Sequence, residues 1–557
     1  MSAPRPFAAR AATPLQTLPF EPLPLETLPG EPMTAEPLPA PLAVRARPAR
    51  LTLRLTAALL LAGALGGCAV GPDYKAPGLA LPASWGSGKA GVVADGTPSP
   101  ANQPPRLGRW WERLNDKTLN ALMEEAVAGN LDVATAKSRV RQARASRKQA
   151  LAALAPTLTG SGQYLRTDNG SNVSAGSGDV QVAGPFDSYS AGLDASWELD
   201  LFGANRRAAE AAKYGLDASE ETLRNTLLTL VGDVATNYVE ARGYQARIAL
   251  ARRTAASQRE TAALTRTKFQ AGSASAVDLA NAEGQAASTE ADIPQLQSSY
   301  QQTVNQLAIL LGQPPAALNE RMARTAPIPR PRAPVPTGVP ANVLLSRPDV
   351  RLAERQYAQY TAKVGAAEAA RYPDVSLTGE ISTSASQVGD LGKSSNISWN
   401  FGPSLSVPLF NGGSLQAAVE YAQAQRDEYF LAYRSSVLTA LQDVENASVA
   451  LQQERIRNRS LAASANSYRQ AASLSRSLYQ SGTSSFLDVL DAERSLYSAE
   501  DSYLQSQVLI TTDYVALNKA LGGGWDGKVE TRNPEVIDDM GPRFVSADWV
   551  QQFARRE

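Results

Sequence analysis

The chain has 557 residues with 54 basic and 54 acidic side chains, so its formal net charge is zero and no electrostatic case arises for a nucleic-acid partner. It contains no histidine and a single cysteine, which excludes Ser-His-Asp triads, histidine metal sites, internal disulfides and thiolate clusters. No phosphate-binding or dinucleotide glycine motif stands in a strand-to-helix context, so the sequence points to no metal, no cofactor and no catalytic site, and an enzyme is the least favoured class.

The N-terminus reads as an address. Residues 1–44 consist mostly of Pro, Leu, Ala, Glu and Thr and are not expected to pack; the expectation is that they lie upstream of a misassigned start, with Met33 the true one. Arg45, Arg47, Arg50 and Arg54 precede an apolar stretch, Leu55 to Leu65, too short for an ordinary membrane-spanning helix. Leu65-Gly66-Gly67-Cys68 follows. A basic region, a short apolar region and small residues before a cut site make a secretory signal, and the cysteine makes it resemble a bacterial lipobox. That resemblance implies a mature chain starting at lipid-bearing Cys68, held to the membrane by buried acyl methylenes. Ala69, rather than an aspartate, favours the outer membrane.

The mature chain is an internal repeat. Asp233-Val234 is echoed by Asp443-Val444, Gln270-Ala271-Gly272 by Gln480-Ser481-Gly482, Asp278 by Asp488 and Leu311-Gly312 by Leu521-Gly522, all 210 residues apart. Upstream, Leu131-Asp132-Val133 is echoed by Pro348-Asp349-Val350 and Ala155-Pro156 by Tyr372-Pro373, both 217 apart. Leu201-Phe202-Gly203 is echoed by Leu409-Phe410-Asn411-Gly412.

Each repeat opens with two segments of strand alternation. Tyr189, Ala191, Leu193, Ala195, Trp197, Leu199 and Leu201 alternate with Ser190, Gly192, Asp194, Ser196, Glu198 and Asp200. Ile397, Trp399, Phe401, Leu405, Val407 and Leu409 alternate with polar residues in the same way. Thr157–Arg166 and Val375–Ser382 are the expected partners, joined by exposed loops over 167–187 and 383–396. One apolar and one strongly polar face suits a barrel with lipid outside and water inside; a soluble sandwich also alternates and stays open at this point.

A very long helix follows in each repeat. Ser414–Ser481 lacks proline and glycine, and at 1.5 Å per residue it spans roughly 100 Å. Arg206–Ala271 is its counterpart, and apolar residues spaced four and three apart predict coiled-coil packing. After a Gly-Ser/Thr break a second helix returns over Val277–Leu311 and Phe486–Leu521, the first with a kink expected at Pro294. Four strands cannot close a membrane barrel, and unpaired edges in hydrocarbon cost several kcal/mol per group. Copies must therefore share one barrel of at least eight strands.

Several motifs now carry a family likeness. Cys68-Ala69-Val70-Gly71-Pro72-Asp73-Tyr74, Trp110-Trp111 with Asp116, Leu119 and Leu122, Asn130-Leu131-Asp132 and Arg347-Pro348-Asp349-Val350 resemble the lipoprotein (NodT-type) branch of outer-membrane efflux factors. Tyr479-Gln480-Ser481-Gly482-Thr483 with Leu487-Asp488-Val489-Leu490-Asp491-Ala492 is similar to the periplasmic tip of TolC-like and OprM-like proteins. The likeness covers about Cys68 to Trp525. It implies a mainly α fold with a β-barrel part: a homotrimer whose twelve-stranded outer-membrane β-barrel continues into a long α-helical barrel, with a small mixed equatorial domain. The expected organisation is 1–67 extension and signal peptide, 68–110 anchored and equatorial segment, 111–312 first repeat, 313–345 Pro-rich linker, 346–522 second repeat and 523–557 tail.

The function so implied is the outer-membrane channel of a tripartite efflux pump, a passive gated duct for drugs and other small toxic molecules. Its partners would be a periplasmic adaptor, an inner-membrane pump of RND type and outer-membrane lipid. The resemblance puts the turns Gly272-Ser273 and Gly482-Thr483 at the periplasmic end, gripped by the adaptor, and Asp488, Asp491 and Tyr479 at the gate. Asp488 and Asp491 are three apart, hence on one helix face, and carboxylate rings favour cations; acids at a helix start also serve the dipole alone. Ser484 stands just after the turn, where members related to TolC can carry an arginine that pairs with acidic residues, so the latch is expected to differ in detail. Protein secretion by the same architecture and a structural periplasmic coiled coil are the competing readings.

Overall fold

The computed structural model describes residues 69–78, 108–168, 185–331 and 341–534. Cys68, the extension before it and the segments 169–184 and 332–340 lie outside the described residues. A 3₁₀ turn at Trp110–Leu114 leads into α1 (Lys117–Gly129) and α2 (Leu131–Ala152). Then come strands β1 (Thr157–Thr167) and β2 (Phe186–Glu198), the long helix α3 (Ala204–Gln270), α4 (Ala276–Leu310) and the short α5 (Asn319–Ala323). The second repeat gives α6 (Pro348–Ala369), β3 (Asp374–Ala385), β4 (Ile397–Ser406), α7 (Ser414–Ser481) and α8 (Phe486–Ala520). The fold is thus mainly helical with one small sheet.

The strands form a single antiparallel sheet in the order β1-β2-β3-β4, with β1 and β4 at its edges. Its register sorts the alternating residues into rows. Leu158, Ala195, Gly379 and Phe401 share one row, and Gly160, Leu193, Ile381 and Trp399 another. Between them lies Thr159, Asp194, Glu380 and Asn400, and beyond them Ser161, Gly192, Ser382 and Ser398. Because successive side chains point to opposite faces, one face is apolar and aromatic and the other polar and acidic. Both are exposed in the single chain: Trp399 is 76% and Phe401 69% accessible.

Several strand ends differ from the sequence expectation: β2 already begins at Phe186 and β3 runs on to Ala385, both inside the expected loops, while β2 and β4 stop early. β2 stops at Glu198 instead of running to Leu201. The Asp200 carboxylate accepts from the backbone N–H groups of Asn205 and Arg206, both 2.9 Å, which turns the chain into α3. β4 stops at Ser406, ahead of Pro408, whose missing N–H cannot serve a ladder. α4 passes through Pro294 without ending.

Helices α1, α2 and α6, which precede the strands, add to the elements expected from the sequence. α2 and α6 follow the repeat: α2, α3, α6 and α7 pack side by side in that order, next to the sheet. Beyond the middle of α3 and α7 the row changes to α4, α3, α8 and α7. Where the two rows meet lies the main core, with Trp110, Trp111, Leu119, Leu122, Met123, Tyr238 and Tyr514 buried together. Trp111 stacks on Trp525 at 6.1 Å, so the segment ahead of the first repeat's helices and the segment after the last helix close on the same core. No described helix is long and apolar enough to cross a membrane.

Candidate functional site

The far end of the helical part is built from two copies of one motif. The turn just past α3 holds Gly272, φ +71°, and α7 is capped by Gly482, φ +83°, a left-handed conformation that glycine accepts without a Cβ penalty. Ser273 N–H donates to the Lys268 carbonyl (2.8 Å) and Thr483 N–H to the Leu478 carbonyl (2.9 Å), the same six-residue closure. Nothing lies within 4 Å of a Cβ placed on either glycine, so both turns are bare.

Each turn is followed by a capping box. Ser275 and Asp278 exchange side-chain-to-backbone hydrogen bonds at the start of α4, and Ser485 and Asp488 do so at the start of α8. The Asp488 carboxylate accepts from the Ser484 hydroxyl (2.7 Å), the Ser485 hydroxyl (2.9 Å) and the Ser485 N–H (3.1 Å). These hydrogen bonds, Ser484's first, hold its carboxyl below the usual aspartate range. Asp491 follows one turn later, exposed like Asp488.

Tyr479 faces inward and is buried at 5% exposure. Its hydroxyl lies 3.1 Å from the Thr265 hydroxyl on α3, and its ring meets Phe486 edge-on at 5.8 Å. The Lys268 ammonium donates to the Tyr479 carbonyl (2.7 Å) and sits 4.7 Å from the ring centre. Tyr479 therefore joins the two hairpins, while Asp488 and Asp491 lie on their surface.

Sequence reasoning missed the rest of this joint. Thr261 of α3 donates to Glu493 of α8 (3.0 Å), which also accepts from Arg476 of α7 (2.7 Å). Higher up, Arg247 of α3 holds Asp501 of α8 through two bonds, 2.6 and 3.1 Å. Tyr497 of α8 reaches Asp292 of α4 at 3.3 Å; burial, then Asp292, pushes its phenol up to about 12. The available signal was polar: Gln258, Thr261 and Thr265 continue at helical spacing the stripe that Val231, Val234, Tyr238 and Ala241 begin as an apolar one. The hairpins are thus cemented by side-chain apolar contact at mid-length and tied by polar pairs toward the tips.

At the opposite end, residues 69–78 form a strap across the seam between the repeats. Val70 N–H donates to the Phe202 carbonyl (3.1 Å). Arg207, its side chain only 7% exposed, donates to the Val70 (3.2 Å) and Gly71 (3.3 Å) carbonyls, to Asp73 (2.8 Å) and to Glu210 (2.8 Å). Gly71, φ +88°, passes so close to α6 that a Cβ there would lie 2.4 Å from Gly365 Cα. Tyr74 packs edge-on against Tyr214 of α3 and Tyr357 of α6 and hydrogen-bonds Glu354; burial and that carboxylate push its phenol far up. Each residue of the Val-Gly-Pro-Asp-Tyr run other than proline thus has a defined contact.

A sheet with one apolar and one acidic face, carried on long paired helices with bare turns, defines a class of membrane-associated duct proteins. The family model described as outer membrane efflux protein matches residues 122–313 and 339–523, and the chain belongs to that family. It is 36% identical over 464 residues to Nodulation protein T of Rhizobium leguminosarum bv. trifolii, covering 83% of this chain and 96% of that protein. It is 34% identical to the toluene efflux pump outer membrane protein TtgI of Pseudomonas putida, covering 83% and 96%. Among solved structures, the outer-membrane channel OprN superposes with a TM-score of 0.74 at 34% identity, covering 82% of this chain and all of that one. The resemblance to NodT-type efflux factors read from the sequence is borne out.

Proposed function

We propose that the protein is the outer-membrane channel of a tripartite efflux pump, a passive gated duct that exports small toxic molecules. The observation that carries this reading is the sheet: its register separates an aromatic face from an acidic face, and it ends in two edge strands within one chain. Such a sheet is stable in a bilayer only when copies close it into a barrel. Three copies give a twelve-stranded barrel around water, continued by the helices as an α-barrel, and the chain acts as a homotrimer in the outer membrane with a large periplasmic part. A lipid on Cys68 adds an anchor.

The bare turns at Gly272-Ser273 and Gly482-Thr483 are the surfaces a periplasmic adaptor grips, and an RND-type inner-membrane pump supplies the energy. Asp488 and Asp491 line the closed iris, and Tyr479 holds the hairpins in the closed arrangement. Opening breaks the polar ties between α3 and α8 while the apolar core at mid-length stays intact, since polar groups can exchange partners for water at small net cost.

Planar-bilayer conductance tests the reading. The native trimer is expected to be nearly closed, and the Asp488→Ala, Asp491→Ala double variant to conduct more. Verified trimers that never conduct would overturn the duct; a wide native pore indifferent to the change would move the gate elsewhere.

A further inference from the structure

The two repeats fill one place differently. Where α6 begins and α8 ends, a recess of about 490 Å³ opens between α3, α7 and α8. The corresponding cleft of repeat one, around Asn130, Asp132 and Asp233, holds about 340 Å³. Ala447, Ala450 and Ala516 line the larger recess; at the 210-residue offset repeat one carries Asn237, Glu240 and Gln306. Asp513 lines the recess as well. Its counterpart Thr303 is uncharged, and the Thr303 hydroxyl donates to the Ser299 carbonyl at 2.9 Å. Charge in the recess does not balance. Arg347, its side chain 6% exposed, is matched by Asp349 at 2.7 Å and Asp443 at 3.0 Å. The Lys519 ammonium lies toward Asp233, 3.8 Å away. Asp513 is half-buried, and among the described residues it has no hydrogen-bond or ion-pair partner. Burial, then the Glu454 carboxylate, raises its pKa, and neither Arg347 nor Lys519 offsets this. A carboxylate so placed costs desolvation that nothing in the chain compensates.

We infer that this recess binds small amphipathic organic cations, with the ligand's ammonium on Asp513 and its apolar body on the floor of Ala447, Ala450 and Ala516. The volume falls in the range of small-molecule pockets, about 300–1,000 Å³. An apolar floor beside one unmatched carboxylate selects a protonated amine over other ligands. An anion would find Arg347 already matched. A bare metal ion would gain nothing from alanine, and among the described residues no group of acidic side chains is disposed to hold one. Position agrees with a role in transport. Tyr514 packs on Trp110 at 6.0 Å, and Ala516 falls on the opposite side of α8. The recess thus opens away from the Trp110 core, which under the duct reading is the lumen side. A single exposed ion contact there gives a site that cargo can leave as well as enter, as conduction requires.

The place of this site in transport rests on the duct reading, and the test separates the two. Naphthylmethylamine, protonated at neutral pH, is titrated into the purified protein and followed by naphthyl fluorescence anisotropy. The neutral naphthylmethanol and the anionic naphthylacetate have nearly the same shape and serve as comparisons in the same detergent. The amine should bind once per chain, and the alcohol and the acid about tenfold more weakly or less well still. Asp513→Asn keeps the shape and should lose about tenfold in amine affinity while leaving the alcohol unchanged. Ala516→Phe fills the recess from an exposed position and should weaken amine and alcohol together, with native thermal unfolding. Equal binding of amine and alcohol, or an Asp513→Asn variant that binds the amine as the native protein does, would overturn the site. Trimers that conduct but bind no amine would overturn the recess and leave the duct standing. Protein that binds the amine at Asp513 yet never conducts would support the recess and overturn the duct.

Discussion

Asn130 and Arg347 do the same work with different chemistry. The Asn130 side-chain amide donates to the Leu310 carbonyl at 2.9 Å, and the Arg347 guanidinium donates to the Ala520 carbonyl at 2.6 Å. The donors are 217 apart and the acceptors 210 apart, so each repeat ties the end of its last helix to the start of its first. Asn130 also caps α2, accepting from Asp132 and Val133 N–H. Arg347 instead pairs with Asp349 (2.7 Å) and Asp443 (3.0 Å). Asn130→Ala should cost about 1–2 kcal/mol through the lost cap and tie. Arg347→Ala should cost more, about 2–3 kcal/mol, because it strands a helix-end carbonyl and two half-exposed carboxylates. Thermal unfolding in detergent checks the order; equal losses would mean that the ion pairs of Arg347 contribute nothing.

The depressed Asp488 carboxyl gives the tip a pH dependence of known sign. A group whose folded pKa lies below its unfolded value, near about 4 for aspartate, contributes its stability above that value and loses it as pH falls through the folded one. The cap of α8 should therefore be at full strength at neutral pH and weaken below about pH 4. The hydrogen-exchange protection factor at residues 485–489, corrected for the intrinsic pH dependence of exchange, should fall on acidification in the native protein. In Asp488→Ala that protection should be low at every pH.

Gly272→Val and Gly482→Val test the bare turns. Nothing crowds either position, so the penalty is the positive φ alone, about 1 kcal/mol or somewhat more for a β-branched residue. Oligomers should persist while export falls, most in the double variant. Unchanged drug tolerance in cells carrying it would remove the turns from the adaptor contact.

The joint between the hairpins is measurable by a double-mutant cycle. Arg247→Met and Asp501→Asn each break a two-bonded, partly buried pair, and their coupling should be about 1 kcal/mol. Tyr479→Phe removes the hydroxyl contact with Thr265 while keeping the ring on Phe486. In a bilayer both changes should raise open probability. If only Asp488 and Asp491 variants do so, the polar ties are structural and the gate lies wholly at the tip.

Legibility in the sequence followed the strength of each periodic signal. The strands were readable because lipid-type and lumen-type residues alternate strictly, from Tyr189 to Glu198 and from Ile397 to Phe401. The long helices were readable because apolar residues recur at four and three over dozens of positions and proline is absent. α2 was not, since its buried side is only Val133, Ala136 and Val140 and the rest is largely Arg, Lys, Gln, Ser and Ala. α6 hides its packing in alanine and tyrosine in the same way. At the tip, the echoes at 272 and 482 located the turns and their caps. Thr261, Glu493, Arg247 and Asp501 escaped notice because a pair hundreds of residues apart leaves no local pattern.

The strap leaves no slack. Ala69 lies against Gly203, so close that a Cβ on that glycine would fall 2.9 Å from the Ala69 methyl, and Val70 is already bonded to Phe202. Cys68 is one residue further, a reach of about 3.8 Å. If the sheet sits in the membrane as proposed, an acyl group there would be a ruler rather than a leash: it would fix the depth of the sheet by a covalent distance, independently of the aromatic face, which would set the same depth through solvation. A flexible insert between Cys68 and Ala69 would keep the anchor and lose the ruler, leaving the aromatic face alone to choose the level.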